Sequence, residues 1–158
     1  GRSGKGRCAC VKAEERAEVA RWWMEKADRS LDAACLLYKR GDFDFCVNRL
    51  YYAAFYAVSA VLVARGQNYS KHSAVRAALH RDFVKTGMVD IRFAKLYDHL
   101  FYSRQKADYE AFTELDPEVL EEDMRQVTEF LAALRALLQK RFPIEERKNG
   151  PSEVKREG

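Results

Sequence analysis

The chain has 158 residues, 28 Lys and Arg against 24 Asp and Glu for a net charge of +4, and 47 % hydrophobic residues. That length suits one domain with a sizeable core, and that hydrophobic content excludes a disordered chain. Only eight Gly and three Pro argue against a turn-rich all-β fold or a linker-like sequence. No apolar run approaches the roughly 20 residues of a membrane span, and no apolar stretch follows the basic start as in a secretory signal, so a soluble cytoplasmic domain is expected.

The charge is unevenly placed. Arg2, Lys5, Arg7 and Lys12 lie in the first 12 residues without any acid, and they account for the whole excess. Residues 1–12 therefore read as a flexible basic arm, either a phosphate-seeking tail or a plain upstream extension. Residues 13–142 form a neutral body, and 143–158 a charged tail with zero net charge. Cys8 and Cys10 are too close together for an ordinary bridge, and Cys35 and Cys46 sit among apolar residues as small core hydrophobes. A single Cys-x-Cys lacks the paired spacing of a zinc site, so neither a metal nor another cofactor is expected.

Five helices are predicted. In the first, starting at Ala13, the residues Val19, Trp22, Trp23, Ala27, Leu31, Ala34 and Tyr38 recur at three- and four-residue steps, the period of one helix face. Glu14, Glu15 and Glu18 suit the positive end of its dipole, and Lys39-Arg40-Gly41 is a stop signal. A second helix, capped by Asp42 or Asp44, runs to Arg65-Gly66 with the stripe Val47, Leu50, Tyr51, Ala54, Val58, Val61 and Leu62; being apolar nearly all round, it should be central. Ser70 is the expected cap of a short third helix from Lys71 to about Lys85. The fourth runs from Asp90 to about Phe112. Asp116-Pro117 then opens a fifth, with Val119, Leu120, Met124, Val127, Phe130, Leu131, Leu134, Leu137 and Leu138, ending near Phe142. Short loops between long amphipathic helices imply an all-α, up-and-down antiparallel bundle.

Polar residues on apolar faces mark the candidate site. On the fourth helix the stripe Phe93, Leu96, Tyr97, Leu100, Phe101 continues in register into Arg104 and Asp108, which are four apart and share a face. An Arg facing inward needs a partner, and Asp108 is the nearest one. The pair is either an internal bridge that pins the bundle or a guanidinium held for a phosphate, which Arg binds through two parallel hydrogen bonds. On the second helix Asn48, Tyr52, Tyr56 and Ser59 form an amphipathic row beside the core stripe, with Arg49 next to it; these are either packing residues or the far wall of an Arg104 groove. Lys71-His72 opens the third helix, where backbone N–H groups favour an anion.

The neutral body hides a second segregation of charge. Residues 65–106 carry a net +6 and all three histidines, His72, His80 and His99, whereas residues 107–133 carry a net −8. Neighbouring helices either neutralise one another or present a basic surface for nucleic acid beside an acidic one for a partner.

Several of these segments together resemble a known family. Ala33-Ala34-x-x-Leu37, Gly41-Asp42-Phe43, Asn48-Arg49-Leu50-Tyr51-Tyr52-Ala53-Ala54-Phe55, Lys71-His72-Ser73, Phe83-Val84-Lys85 and Arg104-Gln105-Lys106-Ala107-Asp108-Tyr109 are similar, in order and approximate spacing, to the HEPN (higher eukaryotes and prokaryotes nucleotide-binding) domain over roughly residues 16–138. The resemblance implies an all-α bundle, commonly a homodimer with its groove near the dimer interface, frequently paired with a small nucleotidyltransferase in toxin–antitoxin-like modules. Many members are metal-independent RNases that use an Arg followed, after four to six residues, by a His. From Arg104 those places are Tyr109, Glu110 and Ala111, so the Arg carries over and the His does not. Tyr109 also does not match the spacing of the tyrosine that nucleotidyltransferase partners modify in some members.

The leading expectation is a HEPN component of such a module, binding RNA or a nucleotide at Arg104 and Asp108 with Lys71, His72, Asn48, Arg49, Tyr52 and Tyr109. Arg104, Asp108 and, from another helix, His72 are its catalytic candidates. The alternatives are a non-catalytic dimerising module that docks a partner through the acidic 107–133 surface, and a metal-independent endoribonuclease using Arg104 and His72.

Overall fold

The computed structural model describes the backbone of residues 5–110 and 114–141 and the side chains of 12–110 and 114–140. Five α-helices follow one another: α1 (Lys5–Arg40), α2 (Phe43–Ala64), α3 (His72–Ala78), α4 (Ile91–Tyr109) and α5 (Pro117–Arg141). There is no strand among the described residues. This is the all-α helical bundle expected from the periodicity.

Helix α2 is the centre, and α1, α3, α4 and α5 all pack against it. Its stripe Val47, Leu50, Tyr51, Ala54, Val58, Val61 and Leu62 is buried, and so are Ala53, Ala57 and Ala60 on its other flank. By length and composition α2 is apolar enough to cross a bilayer, which corrects the expectation that no segment reaches that mark. Here its apolar surface is spent inside the bundle.

Helix α1 begins at Lys5 rather than Ala13, so residues 5–12 of the basic arm continue the helix and its first turn holds no acid. It is also rotated relative to the predicted stripe. Ala20, Met24, Ala27, Ser30 and Ala34 are buried, whereas Val19 and Trp22 are 43 % and 49 % exposed. The buried face of α1 is lined mostly by small side chains, which lets α1 and α2 approach closely, and the Ser30 hydroxyl donates to the Arg49 carbonyl at 2.8 Å.

The turns follow local chemistry. At Gly41 (φ +82°) the Gly41 N–H donates to Tyr38 O and the Asp42 N–H to Leu37 O, both at 3.0 Å, the paired bonds that close a helix through a left-handed residue. Gly66 (φ +78°) repeats the pattern after α2, with Gly66 N–H to Val63 O and Gln67 N–H to Leu62 O at 2.9 Å. Asp90 caps α4 by accepting from the Arg92 N–H, and Asp116 caps α5 by accepting from the Glu118 N–H. Asp42 stands at the start of α2 without a side-chain cap bond, and Lys71 rather than Ser70 holds the cap position of α3.

Two boundaries differ from expectation. After seven residues α3 widens into a π-helical turn, Leu79–Val84, closed by the Lys85 N–H donating to His80 O at 2.9 Å. Helix α4 stops at Tyr109; its predicted end at Phe112, the tail 143–158 and residues 1–4 lie outside the described residues. The stripes of α4 and α5 meet in the core, where Phe93 and Phe130 stack with centroids 5.0 Å apart. Val119 is the exception on α5, 46 % exposed.

Leu50 is fully buried at the middle of α2. Leu50→Ala should lower stability by about 2–5 kcal/mol through lost transfer energy and a residual cavity. A denaturant titration should show a lower midpoint at unchanged slope.

Candidate functional site

The polar residues singled out on α2 and α4 converge. Arg104 lies one turn before Asp108 on α4, its Nε 2.9 Å from Asp108 Oδ2. That Nε is buried and makes no hydrogen bond, so the contact is an ion pair. Because both residues belong to one helix, the bridge does not tie two helices together. What ties α4 to α2 is the other end of the guanidinium: Nη2 donates to the Tyr52 hydroxyl at 3.3 Å, and Cζ stands 5.4 Å from the ring centroids of both Tyr51 and Tyr52. Held on three sides, Arg104 keeps 21 % of its side chain exposed.

Arg49 and Asn48 extend the cluster. Arg49 donates from Nε and Nη2 to Asn48 Oδ1 at 3.1 and 2.7 Å, and its Cζ sits 5.0 Å from the Tyr52 centroid. Tyr52 is thus contacted by two guanidiniums, a favourable use of the negative ring face.

His72, at the start of α3, joins from a third element. Its Nδ1 is 2.9 Å from the Tyr51 hydroxyl, and its ring lies 4.4 Å from that of Phe55 at 30°. Burial, then the Arg104 charge, lowers the pKa of His72, so the neutral imidazole is favoured near pH 7. Burial also pushes the Tyr51 phenol up to about 12 despite the nearby Arg104.

Three predicted residues stand apart. Tyr109 is 83 % exposed at the end of α4. Lys71 is exposed at the start of α3, a helix of seven residues. Ser59 is buried and donates to its own helix, at Phe55 O, at 2.8 Å, rather than facing a groove.

A second cluster escaped the sequence reading. Arg76 Nε donates to Asp98 Oδ1 at 2.6 Å, and His80 Nε2 lies 2.9 Å from the same oxygen. Burial raises the Asp98 pKa, but the hydrogen bonds from Arg76 and His80 outweigh it and hold the carboxyl below its usual range. Arg76 also stacks on Phe101 and Tyr102, and Phe101 touches Tyr51, so the two clusters share an aromatic wall. The signal was present: His72, Arg76 and His80 are spaced four apart and line one face.

Part of the segregated charge is paired across helices. Arg92 pairs with Glu129 at 2.6 Å, and His99 with the buried Asp123 at 2.9 Å, joining the basic α4 to the acidic α5. Glu118, Glu121 and Glu122 line a shallow surface pocket with Arg125. Among the described residues no group of three or more His, Cys, Asp or Glu is placed to hold a metal ion.

Comparison with known proteins places the chain in a family. The HEPN domain model matches residues 20–140. The chain belongs to the HEPN domain family. A Thermotoga maritima protein named "UPF0332 protein" is 40 % identical over 125 residues, 79 % of this chain and 95 % of that protein. A Methanocaldococcus jannaschii protein named "Putative toxin MJ0142" is 38 % identical over 98 residues, 62 % of this chain and 67 % of that protein. The crystal structure of TT1696 from Thermus thermophilus superposes with a TM-score of 0.63 at 22 % identity, covering 74 % of this chain and 96 % of that one, and so shares the fold. Within this HEPN domain the matched region takes in both clusters.

The opposed environments of two histidines make a direct test. The hydrogen bond to Asp123, outweighing burial, raises the pKa of His99, while that of His72 is lowered. In an NMR titration His99 should titrate above 6.5 and His72 below it. Asp123→Asn should bring His99 down. The His99 contribution to stability is present below pH 6.5 and is lost as pH rises through its folded pKa; the His72 contribution has the opposite sign and is lost as pH falls below 6.5.

Proposed function

We propose that this HEPN domain is the RNA- or nucleotide-binding component of a toxin–antitoxin-like module, with Arg104 as the phosphate ligand. The observation that carries the reading is the setting of Arg104. A bridge from Asp108, a hydrogen bond to Tyr52 and two aromatic rings fix a guanidinium that is still one-fifth exposed, beside a second guanidinium, Arg49, that is bonded to a neutral amide. Fixing the fork in advance reduces the ordering cost of binding an anion through two donors. Tyr52 and Asn48 serve as positioning residues, and Asp108 orients Arg104. The relatives with toxin in their names support the module, and a small nucleotidyltransferase is the partner we assign, docking at the acidic face of Glu118, Glu121 and Glu122.

Arg104→Ala should reduce affinity for a short single-stranded RNA at least tenfold and relieve growth arrest on expression, with an unchanged circular dichroism spectrum. Arg104→Lys should not restore binding, because an ammonium lacks the planar fork. Wild-type affinity in a folded Arg104→Ala protein would sink the proposal. Co-expression with a small nucleotidyltransferase should suppress the arrest, and Glu121→Lys with Glu122→Lys should abolish that suppression.

A second reading, metal-independent RNA cleavage, is favoured by one observation: the pKa-lowered His72 stands on the same tyrosine pair as Arg104. Where the Tyr51 hydroxyl accepts from Nδ1–H, Nε2 is the basic nitrogen that takes the ribose 2′-OH proton. The 2′-oxygen attacks phosphorus to close a 2′,3′-cyclic phosphate, the bond from phosphorus to the 5′-oxygen breaks, that oxygen takes a proton from water, and Arg104 stabilises the charge on the phosphoryl oxygens. This reading requires cleavage that persists in EDTA and falls at least a hundredfold in His72→Ala.

A further inference from the structure

One continuous feature is absorbed neither by the Arg104 cluster nor by the core. From Tyr52 a row of aromatic rings leaves the cluster and crosses α2 to α1. Tyr52 lies 5.6 Å from Tyr56, Tyr56 lies 5.6 Å from Trp23 at 32°, and Trp23 meets Trp22 edge-on at 5.0 Å. In a core such a row would be closed off. Here Tyr52, Tyr56 and Trp23 are half-buried against the core and Trp22 is 49 % exposed, so the row reaches the surface at its Trp22 end.

Cations are interleaved with these rings. Lys26 Nζ stands 4.9, 5.5 and 4.7 Å from the centroids of Trp22, Trp23 and Tyr56, and Arg49 covers Tyr52. Elsewhere on the described surface Arg76, Arg81, Arg92, Arg125 and Arg135 each face a carboxylate. Arg49 is bonded instead to the neutral Asn48 amide, and Lys26 lies over rings. Positive charge held by an amide and by ring faces, beside open aromatic surface, is the composition that binds a polyanion carrying flat bases.

We propose that Tyr56, Trp23 and Trp22 form a stacking track for single-stranded RNA, leading from Tyr52 away from the phosphate held by Arg104, with Lys26 and Arg49 neutralising the backbone along it. The proposal rests on the Arg104 reading and deepens it: the ligand is a strand several nucleotides long rather than a mononucleotide. Lys26 covers the rings in the free protein. On binding it swings on its flexible stem to a phosphate and gives up its place on the ring faces to bases. Stacking tolerates any base, so the track confers length preference and little sequence preference.

The test uses the full chain and a dye-labelled oligouridylate of about eight nucleotides, within the span usual for such tracks. Trp22→Ala removes an exposed ring and should weaken binding about 5- to 100-fold, the range for loss of one stacked base, without changing the salt dependence. Lys26→Met should weaken binding and reduce the slope of log affinity against log salt by about one. Tryptophan fluorescence should be quenched by the oligouridylate and not by a uridine dinucleotide. If Trp22→Ala and Lys26→Met bind like wild type while Arg104→Ala does not, the track is wrong and the Arg104 site stands. If Arg104→Ala also binds like wild type, or the wild type does not bind, both fall. If Trp22→Ala changes the sedimentation mass and leaves RNA affinity intact, the face joins copies of the chain and the track is overturned.

Discussion

Everything in this fold depends on covering α2. A helix that is apolar on nearly all sides cannot leave a face in water, and at about 25 cal/mol per Å² of apolar surface its burial dominates the energetics. Four helices close around it. Only one side, carrying Asn48, Arg49, Tyr52 and Tyr56, stays half-buried, and the candidate site forms there. The site is thus the seam of the bundle, positioned by the burial of Leu50, Tyr51 and Ala54 one step round the helix.

Along that seam the tyrosines do two jobs. Their rings complete the core, and their hydroxyls and faces receive Arg104, Arg49 and His72. A guanidinium is tolerated at this depth because it meets a carboxylate, a hydroxyl and two rings, although its buried Nε makes no hydrogen bond. The same surroundings depress the basicity of His72, through burial and the Arg104 charge together. One arrangement therefore yields a permanent cation and a neutral imidazole side by side. Away from the seam, charge is used for assembly: Asp28 with Arg135, Arg92 with Glu129 and His99 with Asp123 join α1 and α4 to α5.

Much of the fold was legible because its causes are local. Helix periods, the glycine stops after α1 and α2, and the aspartate caps of α4 and α5 all act within a few residues. The site was legible in part for the same reason: Arg104 and Asp108 share a face at any rotation of α4. Other features were not. Trp22 and Val19 fit an apolar stripe, yet the buried face of α1 is the small-residue one, because small side chains permit closer helix packing than tryptophan would. Alanine carries little signal in a periodicity count, so the rotation could not be read from it.

By itself, then, the amino-acid order determined five helices, a central α2, the family resemblance, and an Arg–Asp pair that departs from the family's Arg–His spacing. Tertiary structure alone decided that His72 reaches the same tyrosines as Arg104, that Arg76, His80 and Asp98 gather on an adjoining wall, and that Tyr109 and Lys71 stay outside. The reason is physical. Spacing sets which residues share a helix face, but which faces meet depends on the rotation and separation of packed helices, and those follow from the shapes of side chains distant in the chain.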